Sequence, residues 1–288
     1  MVSKLMSIRT TFFLLIFLFP LFTFAQSIIP PLQFQARQAN AETGSAFMQR
    51  MIPLPLEERE EEIYQAFAAG NMPDFLRETI RLKGTFTDSL GQSHELIYEV
   101  MPDYLAIGSN EDFCRIPMNP NTAQRLANLF GGSMITSKIS DHIYENASVK
   151  LAPFFYKPVG RENESIEKFI LHNEQIEKQK SEAMGQNGQL IAGIKKDVIL
   201  SNRITNSPNK VVIYGWHQLN GIPIQPVYSG HVDWYVDYSH GIRLMNQQVI
   251  LDGEVVSVSK ILSDPILYTL LSNENSPMLQ TEYINSGK

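Results

Sequence analysis

The chain has 288 residues, of which 43% are hydrophobic and 19% charged, so it is long enough to bury a core without help from a metal ion. Its formal net charge of −6 excludes the broad basic surface that nucleic-acid-binding proteins present to phosphates. The single cysteine excludes an intramolecular disulfide. These properties predict a compact globular protein that does not bind nucleic acid.

The first 25 residues have the pattern of a secretory signal peptide. Lys4 and Arg9 precede the apolar stretch TFFLLIFLFPLFTFA, which ends with Thr23 and Ala25 at the small-residue positions before a cleavage point. This run is too short and too interrupted by proline to span a membrane as a helix. We therefore expect residues 1–25 to be removed from an exported, periplasmic or extracellular protein with no stable membrane span. The alternative is an uncleaved N-terminal anchor.

Residues 26–40 contain a proline pair and no helical period, which predicts a linker. The stretch LEEREEEIYQAFAAGN then predicts a helix whose acidic first turns suit the helix dipole. ETIRLKGTFTD and HELIYEVMPDYLAIGS predict two strands joined by turn residues. In NPNTAQRLANLFGG, Asn119 is placed to cap a helix, Pro120 occupies its first position and Gly131 ends it.

Two further helices are predicted around TSKISDHIYENASVK and ESIEKFILHNEQIEKQKSEAM, each with an apolar stripe. Buried strands follow in LIAGIKKDVILSNR and KVVIYGWHQ, and QQVILDGEVVSV predicts a hairpin about Asp252 and Gly253. The pattern predicts one α+β domain over residues 41–275, with an antiparallel or mixed sheet and several packed helices. Residues 276–288 are expected to form a frayed C-terminal tail.

The stretch from Tyr214 to Leu244 holds three of the six histidines and both tryptophans. In extended chain, His231, Asp233 and Asp237 all project from one face. Five titratable side chains, three histidines and two aspartates, lie close together in this stretch. Such a cluster is typical of a functional site in which pKa values are shifted. We expect an exported hydrolase that acts on a peptide or glycan of the cell envelope or environment. Its predicted catalytic residues, around one cleft, are His217, His231, Asp237 and His240.

The same histidines are candidate metal ligands, because imidazole nitrogen with a carboxylate suits zinc and the spacing shows no all-oxygen calcium site. Neutral histidines with carboxylate partners also serve as acids and bases without a metal, so both interpretations stay open. The predicted ligands of a zinc ion are His217, His231, Asp233 and His240.

The aromatic residues of this stretch predict a second class of function, a non-catalytic glycan-binding protein in which rings stack on sugars. A third interpretation is a hydrophobic core segment, since aromatic residues and histidines often pack together. The predicted contacts to a peptide or glycan ligand are Trp216, Tyr228, Trp234, Tyr235, Tyr238, Arg243 and Lys196.

Six segments, GSAFMQRM, GNMPDFL, RIPMNPNTAQRLANLF, KKDVILSNR, YGWHQ and DYSHGIRL, together resemble a family of uncharacterised exported bacterial proteins. The resemblance covers most of residues 42–272 and implies one continuous domain. No activity is attached to that family, so the resemblance assigns no role to any residue.

Overall fold

The computed structural model describes residues 28–284, so the predicted signal sequence lies outside the described residues. Within them, the chain forms one α+β domain, as expected. The α-helices are α1 (Gly44–Met51), α2 (Leu56–Ala68), α3 (Pro120–Phe130), α4 (Ser137–Asn146), α5 (Ile166–Glu182), α6 (Arg203–Asn206) and α7 (Val258–Ser263). No helix in this range is both long and apolar enough to cross a membrane.

The strands are short, and most connect to their neighbours through turns. They are β1 (Ile80–Thr87), β2 (Ser93–Val100), β3 (Ala106–Gly108), β4 (Phe113–Arg115), β5 (Gly132–Met134), β6 (Val149–Lys150), β7 (Ile191–Ala192), β8 (Lys196–Val198), β9 (Ile213–His217), β10 (Pro223–Tyr228), β11 (His240–Gly241), β12 (Leu244–Asn246), β13 (Gln248–Leu251) and β14 (Glu254–Ser257).

Local sequence signals set several element boundaries where they were predicted. The Asn119 side chain accepts a hydrogen bond from the Thr122 amide at the start of α3, and Gly131 adopts a left-handed conformation at its end. Asp252 and Gly253 both have positive φ, as a two-residue turn between β13 and β14 requires. The predicted helix and hairpin are therefore confirmed.

The larger sheet is antiparallel and is built around β2. Strand β1 pairs with β2 along its whole length, while β13 and β12 pair with the other side of β2. The path continues from β13 to β14 and from β12 to β5. Strand β2 thus pairs with a strand from the first third of the sequence on one side and with strands from the last third on the other.

A second sheet, in the order β10-β9-β8-β11, contains His217 in β9 and His240 in β11. Its first three strands are antiparallel, but β11 runs parallel to β8, so this sheet is mixed. Helix α4 packs against β9, and Thr136 caps that helix by accepting a hydrogen bond from the Ile139 amide. This contact brings the polar residues of α4 to the end of β9.

One main hydrophobic cluster contains residues from both sides of residues 159–165, so the core is continuous across that segment. The expected linker also packs on this body, because Ile29 and Leu32 are buried. The prediction of a frayed tail is wrong for residues 276–284, since Tyr283 is buried and its hydroxyl donates to the Ile199 carbonyl at 2.8 Å. Residues 285–288 lie outside the described range.

Candidate functional site

The stretch from His231 to Asp237 is not extended, so its polar residues do not share the one face that extended chain would give them. The segment 214–244 begins in β9, but the chain between β10 and β11 runs through turns. There His231 stacks on Tyr235 with 4.1 Å between ring centroids, whereas Asp233 points elsewhere and accepts a hydrogen bond from Asn121. The prediction of one polar face is wrong because turns rotate successive side chains in different directions.

The end of β9 has an unusual backbone. Gly215 and Trp216 have φ values of 101° and 57°, in a region that residues other than glycine rarely adopt. Side chains three positions apart in a regular strand point to opposite faces. Here the Tyr214 hydroxyl and His217 Nε2 both donate to Oδ1 of Asp141, at 2.7 and 2.8 Å. The two left-handed residues therefore turn His217 onto the face that Tyr214 occupies.

A cleft of about 590 Å³ opens at this point, between α4 and the turn that joins β9 to β10. Asp141 and Glu145 line it from α4, four residues apart and hence on the same side of the helix. The Tyr144 ring stacks on His217 with 4.7 Å between centroids, and Lys150 lies 4.9 Å from the centre of the same tyrosine ring. The cleft thus combines two carboxylates, an imidazole and an ammonium group.

The Asp141 carboxylate presents one oxygen to this cleft. Its Oδ1 accepts the two hydrogen bonds from Tyr214 and His217, while Oδ2 has no hydrogen-bond partner among the described residues. The side chain is 34% exposed, whereas that of His217 is 4% exposed. Asp141 is therefore held firmly through one oxygen and is open to a ligand through the other.

A second buried carboxylate lies behind this arrangement. Ser140 donates to Oδ2 of Asp197 at 2.5 Å, and Oδ1 of Asp197 has no partner within residues 28–284. Burial raises the pKa of Asp197, and the positive charge of Arg243 only partly opposes this shift. Asp197 therefore adds less negative charge behind His217 than a solvent-exposed aspartate would.

Three of the predicted catalytic residues form a separate cluster with Lys196 and Tyr235. His240 lies beside Lys196 in the pairing of β11 with β8, and the Tyr235 hydroxyl donates to Asp237 at 3.0 Å. Burial lowers the pKa of His240 to about 4, and neither of its ring nitrogens has a hydrogen-bond partner in the described part of the chain. His231, stacked on Tyr235, completes this cluster.

The charge on Asp237 is stabilised within this second cluster. Burial disfavours the charged form of Asp237, but at the acidic pH at which this carboxyl titrates His240 is protonated. Its charge, the charge of Lys196 and the hydrogen bonds from Ser239 outweigh burial and lower the pKa of Asp237 to about 2. Burial also lowers the pKa of the Lys196 ammonium, which lies 4.5 Å from the Trp216 ring. The cluster therefore holds an ionised carboxylate beside a neutral imidazole.

Strand β8 divides the two groups of predicted catalytic residues. Neighbouring side chains of a strand point to opposite faces, and Lys196 and Asp197 are neighbours in β8. Lys196 belongs to the cluster of Asp237 and His240, whereas Asp197 faces Ser140 and the His217 side. The prediction that His217 shares one cleft with the other three residues is wrong.

Three of the predicted ligand-binding residues belong to the core instead. Trp216 is 8% exposed and donates its indole hydrogen to the Ile194 carbonyl at 3.0 Å. Tyr238 is buried, and its hydroxyl accepts a hydrogen bond from the Tyr156 amide. Arg243 is 1% exposed and donates to main-chain carbonyls. These three side chains are unavailable to a ligand, because their polar atoms are already paired inside the protein.

The other predicted ligand-binding residues lie closer to solvent. Tyr228 and Trp234 are exposed, and Tyr235 and Lys196 are half-buried in the second cluster. They do not line the cleft that contains His217. The aromatic residues of the segment therefore do not form one continuous stacking surface.

The predicted zinc ligands do not assemble. Within residues 28–284, no group of three or more histidine, cysteine, aspartate or glutamate side chains could hold a metal ion. His217 bonds to Asp141, Asp233 accepts from Asn121, and His231 stacks on Tyr235. Each predicted ligand is thus directed towards a different neighbour, which explains why the spacing in the sequence was misleading.

Sequence reasoning missed Asp141 and Glu145, the carboxylates of the cleft. It predicted α4 from the apolar stripe that includes Ile139 and Ile143, and residues outside that stripe had no assigned role. Asp141 lies 76 positions before His217 in the chain. No local pattern signals a pairing over that distance, although the acidic residues four apart on the polar side of α4 mark a common face.

No protein-family model matches the chain, and neither the curated proteins nor the solved structures include a significant match to it. The resemblance to a family of exported bacterial proteins stays a prediction.

Proposed function

We propose that the protein is an exported hydrolase that acts on a peptide or glycan of the cell envelope or environment. The reaction takes place in the cleft between α4 and the β9–β10 turn. The observation that carries this proposal is the Asp141 carboxylate, which is fixed through Oδ1 by Tyr214 and His217 and open through Oδ2. A carboxylate held in this way is prepared to exchange a proton in one orientation.

Hydrolysis adds water across a bond, so the site needs a base for the proton of water and an acid for the leaving group. Oδ2 of Asp141 takes the proton from the attacking water. Glu145, one helical turn further along α4, is exposed and takes up a proton from solvent, which it gives to the leaving atom. Asp141 returns its own proton to solvent after the bond is broken. Lys150 lies at the same cleft and provides positive charge for an oxygen that becomes negative in the transition state.

His217 has a different role in this proposal from the one predicted from the sequence. Its Nε2–H donates to Asp141, so it orients the carboxylate instead of exchanging a proton with the substrate. Tyr214 also holds this carboxylate in place, because its hydroxyl donates to the same oxygen. The substrate class follows from the predicted export, because an exported hydrolase encounters the polymers of the envelope and of the medium.

The test is a screen of the purified protein against peptidoglycan, a peptide mixture and neutral polysaccharides, with release of amines and of reducing ends as the readouts. Asp141→Asn keeps the shape of the side chain and removes its basic oxygen. We expect this change to lower kcat by about 100- to 10,000-fold, the usual contribution of a general acid or base.

Two controls accompany this variant. Glu58→Gln alters an exposed carboxylate of α2 and should leave turnover unchanged. His231→Gln alters the second cluster, and full activity in this variant would separate that cluster from the reaction. The proposal is wrong if the wild-type protein releases no product from any of the substrates, or if Asp141→Asn retains wild-type turnover.

A further inference from the structure

A second cleft, of about 400 Å³, lies where the start of α3 meets the turn that follows β10. This volume lies within the range of small-molecule sites, roughly 300 to 1,000 Å³. It shares no lining residue with the Asp141 cleft. Trp234 and a set of amide and carboxylate side chains form its walls.

Trp234 is the aromatic wall of this cleft. Its side chain is 54% exposed, whereas the protein's other tryptophan, Trp216, is 8% exposed. Arg161 lies 5.8 Å from the Trp234 ring, and Glu164 pairs with that guanidinium through two hydrogen bonds. An indole has a large apolar surface, so leaving half of it in water forgoes the stabilisation that burial would give. A ligand that stacks on this ring would recover part of that stabilisation.

The polar walls are held in place by contacts that leave hydrogen-bonding capacity unused. The Asp233 amide donates to the Asn209 carbonyl at 3.0 Å, and Oδ2 of Asp233 accepts from Asn121 at 3.3 Å. Asn119 uses its side-chain oxygen to cap α3. Three polar groups of these side chains have no hydrogen-bond partner in the described range: the NH₂ group of Asn119, the side-chain oxygen of Asn121 and Oδ1 of Asp233. Donors and acceptors are therefore available side by side, as paired sugar hydroxyls require.

The charge of the cleft selects among polar ligands. Its charged lining residues are Glu57 and Asp233, so an anionic ligand such as a phosphate or a uronate would be repelled. A neutral sugar combines an apolar ring face for the indole with hydroxyl groups for the amides and the carboxylate.

We propose that this cleft is a binding site for a neutral saccharide, with one sugar ring stacked on Trp234 and hydroxyl groups bonded to Asn119, Asn121 and Asp233. The site does not depend on the hydrolase proposal, since no residue of the Asp141 cleft takes part. It would hold a glycan on the protein whether or not the other cleft cleaves it.

Tryptophan fluorescence provides a direct test, because the chain has two tryptophans and one of them is buried. The probes are the neutral tetrasaccharides tetra-N-acetylchitotetraose, cellotetraose, maltotetraose and mannotetraose, titrated up to millimolar concentration. Binding should shift the emission of Trp234 to shorter wavelength and protect it from iodide quenching. Comparison of the N-acetylated probe with the other three shows whether the site prefers sugars of the peptidoglycan type or plain hexoses.

Calorimetric titration of variants assigns the site. Trp234→Ala should weaken binding of the preferred tetrasaccharide about tenfold or more, the effect of removing a central aromatic contact. Asn121→Ala should also weaken it, through the loss of hydrogen bonds. Tyr228→Ala, at a second exposed aromatic residue outside the cleft, should leave affinity unchanged.

The folding control is unchanged circular dichroism, which is expected because Trp234 and Asn121 lie at the surface of the cleft. The proposal is overturned if none of the four tetrasaccharides binds to the wild-type protein. Equal affinity for the wild-type protein and for Trp234→Ala would overturn it as well. Loss of hydrolysis in Asp141→Asn with retained sugar binding would leave both proposals intact.

Discussion

At the residue scale, the geometry of the proposed active cleft depends on two left-handed residues in β9. Gly215 tolerates its φ of 101° because it has no side chain, but Trp216 pays a conformational cost of about 1–3 kcal/mol at a φ of 57°. The hydrogen bond of the Trp216 indole to Ile194 helps to keep that residue in place. Strain of this kind persists where the surrounding contacts determine the backbone, and here it directs His217 to Asp141.

We predict that Gly215→Ala destabilises the protein more than a glycine substitution at an open turn. A β-carbon at position 215 would lie 3.3 Å from Cε1 of His217 and 3.4 Å from Oγ of Ser140, in addition to the strain of positive φ. We expect the free energy of unfolding to fall by about 1–3 kcal/mol in urea denaturation. Turnover should fall as well, since His217 has to move.

Gly91→Ala is the matched control, because Gly91 has a φ of 88° and nothing within 4 Å of the position of its added β-carbon. The difference between the two variants measures the contacts with His217 and Ser140. An equal loss of stability in both would contradict the importance of those contacts and leave backbone strain as the whole effect.

At the element scale, His94 joins the turn that follows β1 to the turn between β13 and β14. Its Nδ1 lies 2.6 Å from Asp252 and its Nε2 lies 3.3 Å from Asp88. The hydrogen bond to Asp252 raises the pKa of His94 above its ordinary value of 6.5, although burial opposes the shift. The pKa values of both aspartates are lowered, so they remain charged while the histidine titrates.

This arrangement predicts a pH-dependent contribution to stability. A histidine with a raised pKa in the folded protein stabilises it fully below the unfolded pKa, near 6.5, and loses that contribution as the pH rises through the folded pKa. The difference in unfolding free energy between the wild-type protein and His94→Gln should therefore be larger at pH 6 than at pH 9. Urea denaturation across this range provides the measurement, and a constant difference would show that His94 acts only through packing.

The elements themselves were largely predictable from the sequence, whereas the cleft was not. The cap at Asn119, the end at Gly131 and the turn at Asp252 are local signals, and each acts within a few residues of the element that it bounds. The pairing of His217 with Asp141 depends on how α4 packs on β9, which no local pattern specifies. The polar face expected around His231 does not form, because His231 stacks on Tyr235 within turns instead of lying in extended chain.

At the scale of the whole molecule, one hydrophobic cluster joins the expected linker before α1, both of the larger sheets and the C-terminal segment. Phe34 of the expected linker packs on Phe130 of α3 with 4.8 Å between ring centroids. Near the C-terminal end of the described chain, Tyr283 is buried and its hydroxyl donates to the Ile199 carbonyl. These contacts make both ends of the described chain part of the same folding unit.

We therefore predict a single cooperative unfolding transition. The main cluster takes residues from both ends of the described chain, so no part of it is complete alone and we expect no stable partly folded state. Urea transitions followed by far-ultraviolet circular dichroism and by the fluorescence of buried Trp216 should coincide. To remove the signal of the exposed indole, the fluorescence measurement is best made in Trp234→Phe. Two separate midpoints would indicate independently folding parts and contradict the prediction.

The position of β2 in the larger sheet sets the order in which the protein matures. Strand β2 ends at Val100, but Met245 of β12 pairs with that residue and Ile250 of β13 pairs with Ile97. About 150 residues therefore separate this edge of β2 from its partners along the chain. Contacts between such distant segments close slowly. Until β12 and β13 pair with β2, the folding chain has an open strand edge to which other chains can also bind. A chaperone that covers this edge would protect a surface that is absent from the folded protein.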